Sequence, residues 1–426
     1  MEIRFINHAS FIIESKEIRL ICDPWIEGTA FDNGWRQLAE TKFRYDEFND
    51  ITHIWFSHEH PDHFSPPNLV KIAKEDRAKI TVLFQATSDR KVSQFCHKLG
   101  FKEIIELKED FPCNLNDDFS IICNAYTDGD SYAMFQVEGK KILNLNDCIV
   151  NSIQAAEEIQ AKIGNVDWLF TQFGYANKIG NLNDVDKRLE ASREKLNRIN
   201  IQCQVFQPSV VIPFASFVYF CHEDNAYLND GANNIANVYQ YIKEQTKATC
   251  VVLYPNDVWN EQMEWDSMPA IQMYMLDAKE KVGKDLLRSV KIEKNLLIEN
   301  SKKFVEQLKL GFARKKSLIG KMNALIFLTD YNETVLLTGD KGIDFFSSEE
   351  QNWDLALSSE ALNYCFKELW GGETLRINGR FQTGEHYNKF RQFSDIASSL
   401  NRKEAFPYPS LFDRIMRKIW KSFVKN

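Results

Sequence analysis

Residues 57–65 read SHEHPDHFS, placing His58, His60, Asp62 and His63 within six positions of a chain that holds eight histidines in all. The stretch follows Ile51–Phe56, an apolar run that reads as a short buried strand delivering the chain to His58. Imidazole nitrogen and carboxylate oxygen are natural ligands of borderline divalent metals, zinc above all and also iron and manganese. Side chains two apart on an extended segment point the same way, so His58 and His60 are expected to share one metal. Asp62 and His63 come after Pro61, where the chain must turn, and are expected to face a second metal about 3.5–4 Å from the first. A polar loop that is merely rich in histidine explains a single pair, but not His-x-His-x-Asp-His directly after a buried strand. Ser57 reads as a turn residue, and His53, inside the strand, as structural.

Outward from this stretch the pattern is of short strands and then strands alternating with helices. Ile3–Ile6, Ser10–Glu14 and Ile18–Cys22 are brief, β-branched or aromatic, and separated by polar breaks. A loop rich in Gly, Asp, Asn and Trp follows over Asp23–Trp35. Helical spacing of Leu69, Ile72 and Ala73 predicts a helix over Pro66–Asp76. Strands are expected at 80–85, 118–125, 132–137, 142–146 and 168–172, with helices at 88–99, 151–163 and about 184–204. Such a succession is that of a layered α/β or α+β domain. After about residue 255 a Lys/Glu-rich helical stretch (278–309) leads to two more strands and a helix. The expected division is therefore a catalytic domain at 1–255, an α+β extension or second domain at 256–405, and a terminal segment at 406–426.

Composition narrows the function classes. Of the 426 residues 44% are hydrophobic and 26% charged, as in soluble globular proteins. A net charge of −8 gives no support for nucleic-acid binding as a global property. The nine cysteines are scattered without a C-x-x-C pair, which argues against a disulfide framework and for a reducing compartment. Charged residues break every apolar run near the N-terminus, so no signal peptide is expected there. VVIPFASFVYFC (210–221) is shorter than the roughly 20 residues a bilayer span needs. A cytoplasmic protein is expected.

His-x-His-x-Asp-His after an apolar strand resembles the signature of the metallo-β-lactamase superfamily, whose fold is a four-layer αββα sandwich of the α+β class. INHASFIIE (6–14) followed by ICDPW (21–25) is similar to the branch holding the ascorbate-6-phosphate lactonase and N-acyl-phosphatidylethanolamine phospholipase D. DPWIEGTAFDNGW (23–35), ILNLNDC (142–148) and PFASFVYFCHEDNAY (213–227) resemble the catalytic part of CMP-N-acetylneuraminate hydroxylases. The resemblance spans about residues 1–255. It implies two divalent metal ions, with Asp147 as their bridging carboxylate and His222 completing the second metal. His8 matches the histidine of the first hairpin, near the metals and touching either substrate or the ligands. With Asp62 it is also a candidate catalytic residue.

One element of that pattern is missing. The superfamily usually supplies another histidine to the first metal before the bridging aspartate, and residues 115–140 contain none. TDGDSY (127–132) offers Asp130, or else Asp128, as the substitute, although D-G is also a strong turn dipeptide. An added carboxylate moves the site toward harder metals, iron or manganese, and away from two zincs.

Two enzymatic outcomes follow from the resemblance, with hydrolysis preferred. A hydrolase would use a metal-bound hydroxide on a phosphodiester, lactone or amide, in a lipid or a sugar nucleotide. A di-iron oxygenase would act on a sugar nucleotide. It would need a separate electron donor, because no Cys-x-His and Cys-x-x-His pairs for a Rieske cluster exist here. A non-catalytic binding protein with a retained fold is the alternative of another class. At the C-terminus, SLFDRIMRKIWKSFVKN (410–426) sets Phe412, Ile415, Met416, Ile419, Trp420 and Phe423 on one helical face, with basic residues opposite. Peripheral contact with the inner face of a membrane is one role for such a helix, and docking on its own domain or on a second copy is the other. Trp25, Phe31, Trp35, Phe217 and Tyr219 are candidate pocket walls.

Overall fold

The computed structural model describes residues 1–345 and 352–408, so the expected amphipathic helix at 410–426 lies outside the described residues. Packing divides the chain into two compact units, Met1–Cys221 with Ala226–Leu286, and His222–Asn225 with Leu287 onward.

In the first unit, β1 (Glu2–Asn7), β2 (Ser10–Ser15) and β3 (Ile18–Cys22) form an antiparallel meander. A long loop carrying the short β4 (Trp35–Gln37) follows. Strands β5 (His53–Phe56), β6 (Thr81–Gln85) and β7 (Glu103–Leu107) then extend the sheet in parallel. Parallel neighbours need crossovers, supplied by the short α1 (Pro66–Leu69) and α2 (Lys74–Arg77) and by α3 (Lys91–Leu99). The helix expected over Pro66–Asp76 is thus two pieces, because Ala73 takes an extended ψ of 142° between them.

A second sheet begins as an antiparallel run, β8 (Cys113–Asn114), β9 (Phe119–Ala125), β10 (Ser131–Val137) and β11 (Lys140–Asn144). It continues in parallel through β12 (Trp168–Gln172) and β13 (Val210–Phe214), with α4 (Ile153–Ile163) and α5 (Val185–Phe206) as crossovers. The three-residue β14 (Val218–Phe220) pairs with β4 apart from both sheets. After α6 (Ile235–Gln245), β15 (Thr249–Cys250) ends the second sheet, and β16 (Val258–Trp259) pairs with β1 on the edge of the first. All five residues of VVIPF in β13 are buried, as expected for a parallel strand covered on both faces.

The two sheets pack face to face. Phe11 of β2 stacks on Phe170 of β12 at 4.2 Å between ring centroids, and Trp55 of β5 meets Phe135 of β10 edge-on at 5.6 Å. Alternation along the strands decides which layer each side chain joins. Phe5, Phe11 and Ile13 point between the sheets, whereas Ile6, Ile12 and Ile21 join a separate core with Leu69, Val92 and Cys96. The architecture is an α+β, four-layer αββα sandwich.

Unit one runs past residue 255. Helix α7 (Met268–Lys281) belongs to it, with Tyr274 stacked on Phe217 at 3.9 Å. The helical stretch expected at 278–309 is split between α7 and α8 (Lys294–Gly311), and the second unit starts between them. That unit has a five-stranded sheet from residues 323–383 and its own core, including Leu297, Phe304, Ile326, Leu337 and Phe393. Among the described residues no helix is long and apolar enough to cross a membrane.

Candidate metal centre

Strand ends and the turns next to them supply every residue of the centre. His8 lies in the β1–β2 turn, Asp23 follows β3, Ser57–His63 follow β5, Asp130 precedes β10, Asp147 comes after β11, and Gln172 ends β12. Several of these positions are backbone exceptions: His8, Asp23 and Asn146 take φ of 45°, 40° and 53°. Left-handed conformations of non-glycine residues cost about 1–3 kcal/mol each and persist only where the surroundings enforce them. Enforcement is visible at His8, whose N–H donates to Asn7 Oδ1 at 2.9 Å and whose carbonyl accepts from Ala215 N at 2.8 Å.

Among the described residues, three groups of side chains have ligand atoms within 4.8 Å of one another: His58, His60 and Asp130; His58, His63 and Asp147; and His8, Asp62 and His63. Within them, His58 Nε2 is 2.8 Å from His60 Nδ1, 3.8 Å from Asp130 Oδ1 and 3.9 Å from Asp147 Oδ2. His63 Nε2 is 3.4 Å from Asp62 Oδ2 and 3.6 Å from Asp147 Oδ1, and His8 Nε2 is 3.2 Å from Asp62 Oδ2. Asp147 therefore stands between the His58–His60–Asp130 group and the His8–Asp62–His63 group.

Buried polar atoms without partners show what the arrangement suits. His63 Nε2, Asp62 Oδ1 and His8 Nδ1 are buried and make no hydrogen bond, at a cost of about 1–3 kcal/mol each if nothing else binds them. Lone pairs converging from four imidazoles and three carboxylates are the donor set of a divalent cation site. Burial, reinforced by the neighbouring His63 and His60, holds His58 well below the usual histidine range, and burial also lowers His60. Both rings are therefore neutral, as ligands must be. Burial alone would lower His63 too, but Asp62, Asp147 and Asp23 around it hold its pKa well above the usual value. Burial alone would raise Asp62; His63 and His8 outweigh it and hold the carboxyl well below its usual range. The strong pull between His63 and these carboxylates is one that a bound cation would replace.

The ring orientations are fixed by Asp23, which the motif alone did not bring into the centre. Fully buried, it accepts from Ser57 N (2.8 Å), Ser57 Oγ (2.8 Å), Asn146 Nδ2 (2.7 Å) and His63 Nδ1 (3.0 Å). Since Ser57 Oγ donates to Asp23, it accepts from His58 Nδ1 at 2.9 Å. Both Nδ1 atoms then carry protons, and both Nε2 atoms face the cluster as the ligand atoms, that of His63 once a cation takes the place of its second proton. Outer partners of this kind set tautomer and basicity in metal sites. Ser57 is thus more than the turn residue expected, and the sequence signal was Asp-Pro-Trp directly after an apolar strand.

Asp130 takes the place where a further histidine was expected. Gly129 before it has φ of 92°, open to glycine alone without strain. Gln85 Nε2 donates to Gly129 O at 2.7 Å and Ser131 Oγ to Ser57 O at 2.5 Å, which ties this turn to the histidine loop. The Asp128 side chain lies outside the described ones.

His8 supplies an imidazole to the group of Asp62 and His63. His222 lies in the second unit, and its Nε2 is buried without a hydrogen-bond partner. Within that unit Glu223 N donates to Leu287 O, Asp224 N donates to His222 Nδ1, and Arg380 Nε lies 3.5 Å from Asp224. Of the expected walls, Trp25 meets His8 edge-on at 5.7 Å and Phe31 meets His60 at 5.6 Å. Trp35 contacts Phe31, Phe217 is core, and Tyr219 lines a surface cavity of about 770 Å³ with Arg36 and Tyr45. His53 Nδ1 bonds Thr52 Oγ1, away from the cluster, as a structural residue would.

The family model described as Beta-lactamase superfamily domain matches residues 2–214. The chain belongs to the metallo-β-lactamase superfamily. This fold together with the ligand groups implies divalent metal binding. Cytidine monophosphate-N-acetylneuraminic acid hydroxylase of Danio rerio is 25% identical over 257 residues, 58% of this chain and 43% of that protein. A protein of Mycolicibacterium smegmatis described as a Rieske 2Fe-2S iron-sulfur protein is 23% identical over 254 residues, 56% of this chain and 48% of that one. The chain thus spans about half the length of the curated relatives it matches. Among solved metallo-β-lactamase-fold structures, CmlA, a diiron β-hydroxylase from Streptomyces venezuelae, aligns with a TM-score of 0.44 at 15% identity, covering 61% of this chain and 54% of that one.

Proposed function

We propose that this chain is a dinuclear metal-dependent hydroxylase that inserts an oxygen atom from dioxygen into a C–H bond of an organic substrate. The observation that carries it is the composition of the two outer ligand groups. His58, His60 and Asp130 on one side, and His8, His63 and Asp62 on the other, are each two histidines with one carboxylate. That set, with Asp147 between, is the one associated with non-haem iron and oxygen chemistry. The name of the Danio rerio relative supports the same reaction and a sugar nucleotide as substrate class.

The overall change converts R–H, dioxygen, two electrons and two protons into R–OH and water. Its electrons come from a separate one-electron carrier. Two iron ions, when bound, supply the means of reducing and splitting dioxygen. The chain's own residues do the rest. His58, His60 and Asp130 would hold one ion, His8, Asp62 and His63 the other, and Asp147 both. Asp23 keeps the His58 and His63 Nδ1 protons turned away from the ions. Trp25 and Phe31, edge-on to His8 and His60, would form apolar walls beside the ligands.

Elemental analysis of anaerobically purified protein, followed by oxygen uptake with a chemical reductant, tests this. About two irons per chain and reductant-dependent oxygen consumption are expected. Two zincs, with hydrolysis of a phosphodiester or lactone that needs no oxygen, would replace the proposal with the hydrolase preferred from sequence.

A further inference from the structure

We propose that Lys195, acting through Gln172, limits how strongly Asp147 binds the cations of the metal centre. It rests on the assignment of Asp147 as the shared ligand made above. The residues form an unbroken chain: Lys195 Nζ donates to Gln172 Oε1 at 2.7 Å, and Gln172 Nε2 donates to Asp147 Oδ1 at 3.1 Å. Lysine has donors only, so the amide orientation is settled: its oxygen faces Lys195 and its N–H₂ faces the carboxylate.

Lys195 is on α5, where little else requires a lysine. Among the described residues its ammonium makes no ion pair, since the adjacent Glu194 is taken by Arg198 at 2.5 Å. Burial pushes its amine down to about 8, with Arg198 adding repulsion and Asp147 the first of the groups opposing it. A cation kept in such surroundings is costly for stability alone. Its cost is matched by a use: the charge polarises the Gln172 amide, strengthens the N–H bond to Asp147, and draws electron density from the carboxylate that stands between the ion groups. Lys195 is a positioning and tuning residue, with no contact to the ligand cluster itself.

The sign of its effect separates tuning from scaffolding. If Lys195 only props Gln172 in place, Lys195→Met loosens Asp147 and metal binding weakens. If it withdraws charge through the Gln172 amide, Lys195→Met makes Asp147 a stronger donor, so binding tightens. The test is competition of Mn²⁺ alone, and separately Zn²⁺ alone, against a chromophoric chelator in the full chain. Lys195→Met is expected to tighten binding about tenfold, Lys195→Arg to stay near wild type, and Lys195→Met to lose its effect in a Gln172→Leu background. Weaker or unchanged binding in Lys195→Met, or the same gain in the Gln172→Leu background, overturns the proposal. Replacing a half-buried ammonium by an apolar side chain of like length is not expected to prevent folding, and a thermal melt of each variant checks that. Wild-type protein that binds neither metal would overturn the metal centre itself, a failure distinct from that of Lys195.

Discussion

Asp23 Oδ2 accepts a hydrogen bond from His63 Nδ1 at 3.0 Å, and the same oxygen accepts from Ser57 Oγ, which in turn takes the Nδ1 proton of His58. One buried carboxylate therefore fixes a ring on each side of Asp147. Asp23→Asn keeps the volume but presents an amide where three donors already converge on that oxygen. Metal affinity should fall about 10- to 100-fold, read by chelator competition. Wild-type affinity in this variant would show that the rings are oriented by packing alone.

Asp130 is the carboxylate in a position where the sequence pattern led one to expect a histidine. Its Oδ1 is 3.8 Å from His58 Nε2, close enough for both to reach one cation. Asp130→His exchanges a hard oxygen for imidazole and should move the preference toward zinc, whereas Asp130→Ala should remove the ion held with His58 and His60. Metal analysis after loading with equal iron and zinc reads both outcomes. An Asp130→Ala protein that keeps a full complement of metal would remove Asp130 from the ligand set.

His8 joins Asp62 and His63 in one group of ligand atoms. His8→Ala should therefore lose about one equivalent of metal, the equivalent next to Asp62, read by metal analysis of the purified variant. A His8→Ala protein that keeps both equivalents would remove His8 from the ligand set.

How much of this was legible follows from what kind of interaction each residue makes. His58, His60, Asp62 and His63 sit in one loop, so their spacing after an apolar strand was enough. Asp147 was found by family resemblance, and the structure brings it to the same cluster. Asp23, Ser57, Asn146 and Gln172 act on the ligands through hydrogen bonds across as many as 123 positions, and no local periodicity encodes such partners. The αββα layering was readable because strand alternation and buried parallel strands leave a local signal. The end of the first unit was not, since α7 joins it by stacking Tyr274 on Phe217, a contact between distant segments.

His53, at the head of β5, gives a prediction outside the centre. Burial, with a contribution from Lys102, lowers its pKa to about 4, against about 6.5 in an unfolded chain. Between those values the unfolded chain binds a proton that the folded chain refuses, so stability falls as pH drops from about 6.5 to about 4, and the residue is without effect above that window. Being partly exposed, His53 should account for no more than about 1 kcal/mol of the loss. His53→Gln keeps a polar partner for Thr52 and cannot titrate. Its melting temperature should fall less than wild type between pH 7 and pH 4.5, measured on metal-free protein so that His58 and His60 contribute equally to both. Superimposable profiles for the two proteins would mean that His53 is solvated well enough to take up its proton in the folded state.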